Sequence, residues 1–305
     1  MDVNMLIQFA ISGLAIGSIY ALIAVGYAMI WKAMGVLNFS QGQIFMLGGF
    51  IGLTALRIMG SPKTGSVPVL LAVFLFVGVL AIVLAIFTQT MVFAPIQRRT
   101  QPERLKVNML VSTMAVGIIL ENAARLIWGS EPIFFPRIFG TRVFDFAGIY
   151  VPEHYVRIIG LAVVLVIVLQ QLLFKTKMGR AMRAIAQDKD TAALMGVNVK
   201  QGIYLTLCVT YVLGALAGVL VAPLLYVSFD YGGLFGLKGF TAAVIGGIGT
   251  VPGAIVGGLT LGVIENVGAG LIDATYKNAI AFLILILVLL IKPSGLLGKK
   301  TVQKV

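Results

Sequence analysis

The sequence predicts an all-α integral membrane protein, a polytopic helical bundle of about eight apolar segments forming one domain over residues 1–305. Hydrophobic residues make up 59% of the positions and charged residues only 11%, less than half the charged share of an average soluble domain. Several apolar runs exceed the roughly 20 residues that a helix needs to cross a bilayer. The ten-residue alternation that marks outer-membrane barrels is absent.

Seven long apolar helices are expected in chain order, at about 5–31, 39–59, 68–93, 107–128, 156–174, 202–227 and 277–291. The stretch 239–273, between the last two, is apolar but rich in glycine, and Pro252 lies near its middle. Glycine and proline interrupt helices. We therefore expect two helices broken near Gly249 to Pro252, either a re-entrant pair or two full, tilted spans.

Loop charges predict the orientation of these helices, because Lys and Arg are enriched in short cytoplasmic loops. The connections 94–106 and 175–200 are strongly basic, whereas the 129–155 connection is mixed in sign. We expect the first two inside, the third outside, and the N-terminus outside. The C-terminal tail should be cytoplasmic because it carries Lys292, Lys299, Lys300 and Lys304. The broken glycine-rich pair then makes no net crossing.

Composition and motifs exclude several function classes. Membrane orientation and attraction to anionic lipid account for the net charge of +12, so nucleic-acid binding is not expected. One histidine, His154, and one cysteine, Cys208, cannot build the usual Cys/His zinc site or an internal disulfide. No phosphate-binding glycine loop is present. We expect no enzyme activity and no cofactor on this chain; if ATP drives the protein, another chain binds it.

The glycine-rich region is the first candidate for a translocation path, since interrupted helices often form such paths in transporters. Its candidate residues are Gly246, Gly247 and Gly249, and the alternative is that these glycines only allow close helix packing. Glu265 has no basic residue within four positions along the chain. Three roles stay open for it: lining the path, contacting another subunit, or marking a helix end.

Charged residues within the predicted spans bear on the kind of transporter. Glu121 and Arg125 are spaced to pair on one helix face, and the first three helices carry no charge away from their ends. The scarcity of charge near the bilayer centre argues against a stand-alone ion-coupled carrier. The broken helices argue against a simple membrane anchor.

The segment "GRAMRAIAQDKDTAALMGVNVKQG", Gly179 to Gly202, is too polar for the bilayer. We expect Gly179 to separate the preceding helix from "RAMRAIAQ", in which Arg180, Arg183 and Gln187 share a face. Asp188 is a good N-cap for a second short helix, and Gly196 is placed to end it in a left-handed conformation.

Small residues in the second short helix, Ala192 and Ala193 beside Leu194 and Met195, would allow close approach to a partner. A helix this short is marginal alone, so we expect it to pack against something. The alternative is an amphipathic helix lying on lipid.

Four stretches together carry a resemblance to a known family. They are the segment "GRAMRAIAQDKDTAALMGVNV", "GVLNFSQGQIFMLGGF", "GLKGFTAAVIGGIGTVPGAIVGGLTLGVIE" and "LVLLIKPSGLLGKK". The chain resembles the branched-chain amino acid permeases of the LivH type, which belong to the binding-protein-dependent ABC importers of the bacterial inner membrane. The resemblance spans most of the chain.

The resemblance implies a permease subunit that forms half of a translocation pathway. Its implied partners are a second homologous permease, two ATP-binding subunits that hold ATP and Mg, and a periplasmic substrate-binding protein. The implied substrates are branched-chain or other hydrophobic amino acids; importers of urea, amides or aromatic acids have related permeases. The resemblance does not decide between homodimeric and heterodimeric pairing.

The resemblance also implies site residues. The cytoplasmic loop at about 175–200 corresponds to the coupling loop that contacts the ATP-binding subunit, with coupling residues Gly179, Arg180, Arg183, Asp188, Asp190, Ala192, Ala193 and Gly196. In "NFSQGQ", Gln43 occupies a position where relatives often have an acid. Asn38, Gln41 and Gln43 are candidates for uncharged hydrogen bonds along the path, with helix capping and packing as the alternative.

Overall fold

The computed structural model describes residues 3–60, 67–136, 142–146 and 149–298, which form an almost entirely helical bundle. Its helices are α1 Val3–Met34, α2 Gln41–Ile58, α3 Val67–Thr88, α4 Ala94–Arg99, α5 Pro102–Trp128, α6 Glu153–Lys175, α7 Lys177–Gln187, α8 Lys189–Leu194, α9 Val199–Val221, α10 Tyr231–Gly246, α11 Val251–Leu271 and α12 Lys277–Ile291. The tail residues Lys299, Lys300 and Lys304, which contributed to the predicted orientation, lie outside the described residues.

Within the described residues, seven helical segments are long and apolar enough to cross a membrane. They are α1, α3 continued through a π-helical turn and α4, α5, α6, α9, α11, and α12 with the short 3₁₀ turn before it. This confirms a multi-pass helical membrane protein. The shorter α2 and α10 pack among these spans, α2 against α9 and α10 against α1 and α11.

The glycine-rich region consists of α10 and α11, which are joined by a tight turn. Gly247 and Gly249 have φ angles of 106° and 89°, and this turn lies beside the C-terminal end of α1. The chain after α12 also meets it, because Leu296 N donates to Ile245 O at 2.7 Å. At the other end of α11, Gly270 contacts Phe9 near the start of α1. The predicted break is confirmed, and α11 runs the length of the bundle.

Glycine lets the backbones of α1 and α11 touch. Gly13 and Gly17 of α1 face Gly258 and Gly262 of α11, and a methyl group added at Gly17 would lie 2.9 Å from the Gly258 carbonyl oxygen. This close contact maximises van der Waals packing, which drives helix association in lipid, where the hydrophobic effect contributes little. The packing alternative for the glycine-rich region therefore holds along this interface.

Two local features differ from the expected layout. The 129–155 connection, expected as a loop, contains a short antiparallel hairpin, β1 (Val143–Phe146) with β2 (Ile149–Pro152). The helix expected over 202–227 begins at Val199 and ends at Val221. Pro223 follows in an irregular turn; because its ring clashes with the preceding helical turn and it lacks an N–H, proline cannot continue a helix.

Candidate functional site

The segment between α6 and α9 folds into α7 and α8, and its first break differs from the prediction. The helix breaks at Thr176, which is extended and whose Oγ1 accepts a hydrogen bond from Gly179 N at 2.9 Å. Gly179 lies within the first turn of α7 and is buried against the backbone of Leu172 and Leu173. It therefore does not separate two helices; it allows α7 to fold back tightly on the end of α6.

Both predicted ends of α8 are confirmed. Asp188 Oδ1 accepts a hydrogen bond from Thr191 N at 2.8 Å, as an N-cap does. This bond lowers the pKa of the Asp188 carboxyl, since it stabilises the charged form. Gly196 has a φ of 82° and its N–H donates to Ala193 O at 3.0 Å, which terminates the helix.

The exposed surface of α8 is smaller than expected. Ala192 is only 4% exposed and packs against its own chain, so the expectation that it approaches a partner was wrong. Ala193 is exposed, and Leu194 and Met195 are 89% and 81% exposed. These three residues, which we call the α8 tip, form the apolar surface that a partner could contact.

The second helix of the segment, α7, packs its apolar side inward. Met182 and Ile185 are buried, whereas Arg180, Arg183 and Gln187 are exposed, as their shared face predicts. Asp190 is exposed in the first turn of α8. The segment is thus an ordered unit on the end of the bundle. Its role in coupling stays a prediction.

The start of α2 lies inside the bundle. Phe39 N donates to Thr113 Oγ1 at 3.2 Å, and Thr113 lies about 16 Å along α5 from its first residue, at 1.5 Å per residue. After α1 ends, the chain therefore turns back into the interior before α2 begins. Irregular backbone at such a depth is tolerated only when it is buried in protein or lines a watery cavity.

Side-chain hydrogen bonds link this buried turn to α9 and α3. Asn38 Oδ1 accepts from Ser40 N at 3.1 Å and from Ser40 Oγ at 2.7 Å, which is local capping of the turn. Ser40 Oγ lies 3.4 Å from the Tyr211 hydroxyl, and Thr88 Oγ1 donates to that hydroxyl at 3.3 Å. Asn38 Oδ1 thus orders the turn before α2, and its role in the path stays a prediction.

The two glutamines at the start of α2 are only partly satisfied. Gln41 Nε2 donates to Thr210 O at 3.0 Å, while Gln41 Oε1 and Asn38 Nδ2 are buried with no hydrogen-bond partner among the described residues. Gln43, half-buried beside Gly117 of α5, also has an unpartnered Oε1. Unpaired buried polar atoms cost free energy, so these amides remain candidates for the path.

Glu265 does not mark a helix end, and its other two candidate roles, lining the path and contacting another subunit, stay predictions. It is fully buried within α11, six residues before the helix ends. Its Oε1 accepts from Lys238 Nζ at 2.6 Å and from the Tyr20 hydroxyl at 3.3 Å, and Lys277 Nζ lies 3.9 Å away. The carboxylate therefore joins α10, α1 and α12 to α11 inside one chain.

Sequence reasoning missed Lys238, which is 3% exposed. It lies in α10, one residue before the glycine-rich stretch 239–273. A lysine in an apolar helix with a lone acid 27 residues later was the available signal, since buried charges in membranes pair with one another. By contrast, Glu121 and Arg125 form no ion pair within 4 Å; Arg125 lies 5.4 Å over the Phe229 ring.

The three candidate path glycines form the α10–α11 turn. Gly246 packs against Gly253, Gly247 contacts the chain after α12, and Gly249 contacts Trp31 and Lys32. All three are buried. Their described contacts are those of a tight turn, and a role in the path stays a prediction.

Comparisons with known proteins agree along most of the chain. A protein-family model described as "Branched-chain amino acid transport system / permease component" matches residues 9–289. The high-affinity branched-chain amino acid transport system permease protein BraD of Pseudomonas aeruginosa is 35% identical, over 98% of each chain. LivH of Escherichia coli K12, with the same description, is 34% identical over 98% of this chain and 97% of its own.

A solved structure also aligns with the chain. It is PsaBC from Streptococcus pneumoniae in complex with Fab, with 15% sequence identity and a TM-score of 0.44, over 95% of this chain and 91% of that chain.

Proposed function

The chain belongs to the family of branched-chain amino acid transport system permease components, and from this premise we propose that it is the permease subunit of an ATP-driven importer of branched-chain or other hydrophobic amino acids. The observation that carries the proposal is the α8 tip: an apolar surface at the end of a capped helix, on a segment ordered by its own chain. Exposed apolar surface rimmed by polar residues is typical of a protein interaction site.

In this proposal, α8 transmits force from a separate ATP-binding subunit that holds ATP and Mg. The α8 tip, which includes Ala193, enters a cleft of that subunit, while Ala192 and Gly179 keep the segment packed on the bundle. Asp188 and Gly196 maintain the helix, and Arg180, Arg183 and Asp190 supply charge around it. Two such subunits, a second homologous permease and a periplasmic binding protein complete the transporter.

The proposed orientation places α7, α8, the α10–α11 turn and the C-terminal chain in the cytoplasm, with the N-terminus in the periplasm. Supporting this, the Thr90 hydroxyl in the turn before α4 lies 3.1 Å from the Tyr204 hydroxyl near the start of α9, which follows the second basic connection. The two basic connections therefore lie at one end of the bundle. The positive-inside rule places that end in the cytoplasm.

Reconstitution tests the proposal. We expect the purified chain to hydrolyse no ATP, and ATP-dependent leucine uptake to appear only with the ATP-binding subunits, the second permease and the binding protein. Leu194→Asp should abolish co-purification of the ATP-binding subunit and reduce uptake at least tenfold, because it puts charge at the α8 tip.

The matched control is Leu297→Asp, also an exposed leucine at the same end of the bundle. It should leave both readouts unchanged. Normal uptake by Leu194→Asp, or leucine uptake without any ATP-binding subunit, would contradict the proposed function.

A further inference from the structure

A groove of about 300 Å³ lies between α1, α6, α7 and α11, at the end of the bundle that carries α8. It joins the coupling segment to the glycine-rich turn, because α7 forms one wall and the α10–α11 turn forms another. Its lining includes Lys32, Phe174, Arg183, Gln187, Gly249 and Pro252. The transport function described above places Arg183 in the coupling segment but assigns no ligand to this groove.

The polar character of the groove is cationic. Lys32 and Arg183 line it, and its other lining residues are apolar or uncharged. Across the described part of the chain, no carboxylate lies within 4 Å of either cation. Two cations without an acidic partner, beside the amide side chains of Gln170 and Gln187, are complementary to an anion that accepts several hydrogen bonds.

Packing holds both cations in place. The Arg183 guanidinium carbon lies 4.5 Å from the centre of the Phe174 ring, and such stacking leaves the in-plane N–H donors available for a phosphate. The stem of Lys32 lies against Gly249, where a methyl group on the glycine would be 3.2 Å from Lys32 Cε. Gly249 thus makes room for the lysine beside the turn.

The surroundings of the groove favour a lipid over a soluble anion. Met29, Leu173 and Val251 give it apolar walls, and Phe174, next to the last residue of α6, is 60% exposed. The groove also lies where α1 and α6 end and α11 begins, which is the level of lipid headgroups when these helices span the bilayer. Basic pockets between helices at the cytoplasmic side are suited to anionic headgroups.

We propose that this groove binds an anionic phospholipid of the cytoplasmic leaflet, with the phosphate between Lys32 and Arg183 and the acyl chains along α6. The cytoplasmic level of the groove follows from the proposed orientation of the chain, and so from the proposed function. A lipid bound there contacts α7 and the α10–α11 turn together. It therefore stabilises the docking of the coupling segment on the bundle, because a ligand stabilises the state that it binds.

The test uses the purified full chain in neutral detergent, where no charged membrane surface is present. Binding of phosphatidylglycerol, phosphatidylcholine and inorganic phosphate is measured by native mass spectrometry and by the shift in Tm. We expect phosphatidylglycerol alone to bind and to raise Tm. The Lys32→Gln/Arg183→Gln variant should bind it about thirtyfold more weakly, from about fivefold for each basic residue at a headgroup.

The matched control is Arg98→Gln/Arg99→Gln, which removes two charges from the end of α4, away from the groove. It should bind phosphatidylglycerol as the unmodified chain does. Equal binding of both lipids, equal loss in the two double variants, or binding of inorganic phosphate alone would overturn the proposal. These measurements need no ATP, substrate or partner subunit, so a negative result leaves the transport proposal standing, and a failed uptake assay leaves lipid binding standing.

Discussion

Lys238 and Glu265 form a buried ion pair. Replacing both residues should destabilise the chain less than replacing either one alone. Breaking a buried pair leaves an uncompensated charge and costs about 3–5 kcal/mol, whereas replacing both partners by apolar residues is often neutral. We expect Glu265→Gln or Lys238→Met to lower the free energy of unfolding by roughly this amount. The double variant Lys238→Met/Glu265→Leu should recover most of it.

Thermal unfolding of the purified variants in detergent measures this cycle. Glu121→Gln is the control, because Glu121 also lies in a span but makes no ion pair within 4 Å in the described part of the chain. Two outcomes would mean that Lys238 and Glu265 do not act as a pair. One is that Glu265→Gln and Glu121→Gln destabilise the chain equally. The other is that the double variant loses the sum of the two single losses in stability.

At this same scale, the sequence allowed the caps to be predicted but not the pair. The bonds of Asp188 and the φ of Gly196 depend on neighbours within a few positions, so residue type and spacing suffice to predict them. Glu265 and Lys238 are 27 residues apart, and their contact depends on how α10 packs against α11. The burial of the Ala192 side chain likewise depends on packing against residues outside α8.

At the scale of elements, α8 depends on the Asp188 cap. The hydrogen bond from Thr191 lowers the pKa of the Asp188 carboxyl in the folded chain. The charged cap therefore stabilises α8 fully above the pKa of the unfolded chain. This stabilisation is lost as the pH falls through the lower pKa of the folded chain. We expect Asp188→Ala to speed amide exchange in α8 at neutral pH, and Asp188→Asn, which keeps a capping oxygen, to preserve protection.

Hydrogen-exchange mass spectrometry of residues 188–197 gives the readout, with α7 as the internal reference. Because the cap stays charged at neutral pH, protection in the unmodified chain should not change between about pH 6 and 8. Equal exchange in the alanine variant and the unmodified chain would show that α8 is held by packing of Ala192 rather than by its cap.

At the scale of the whole molecule, the spans and the break near Gly249 followed from hydropathy and from glycine and proline. The depth at which α2 starts did not, because the pattern of "NFSQGQ" fits both a path and a capped helix start until the helices around it are assembled. Its contacts with Thr113 of α5 and Tyr211 of α9 join segments more than 70 residues apart. The start of α2 is buried because other helices pack around it, and the sequence of the segment alone does not show this.

The orientation of the bundle makes a prediction of its own, because α8 and the α10–α11 turn lie at one end and the β1–β2 hairpin at the other. With Cys208 replaced by serine and the ATP-binding subunits absent, a membrane-impermeant maleimide should label Arg142→Cys on intact cells. It should label Leu194→Cys and Ile248→Cys only after permeabilisation. All three native residues are exposed or nearly so, so access reports sidedness rather than burial.

Ile248 is the decisive position, since it lies in the turn between α10 and α11. If α2 and α10 are counted as crossings beside the seven long helices of the described residues, an outside N-terminus gives a cytoplasmic turn at Ile248 and a cytoplasmic C-terminus. If Ile248→Cys were labelled from outside while Leu194→Cys stayed protected, α10 and α11 would not pass through the bundle as a pair. If both were labelled from outside, the whole orientation would be reversed, and the basic connections would have been misread as cytoplasmic.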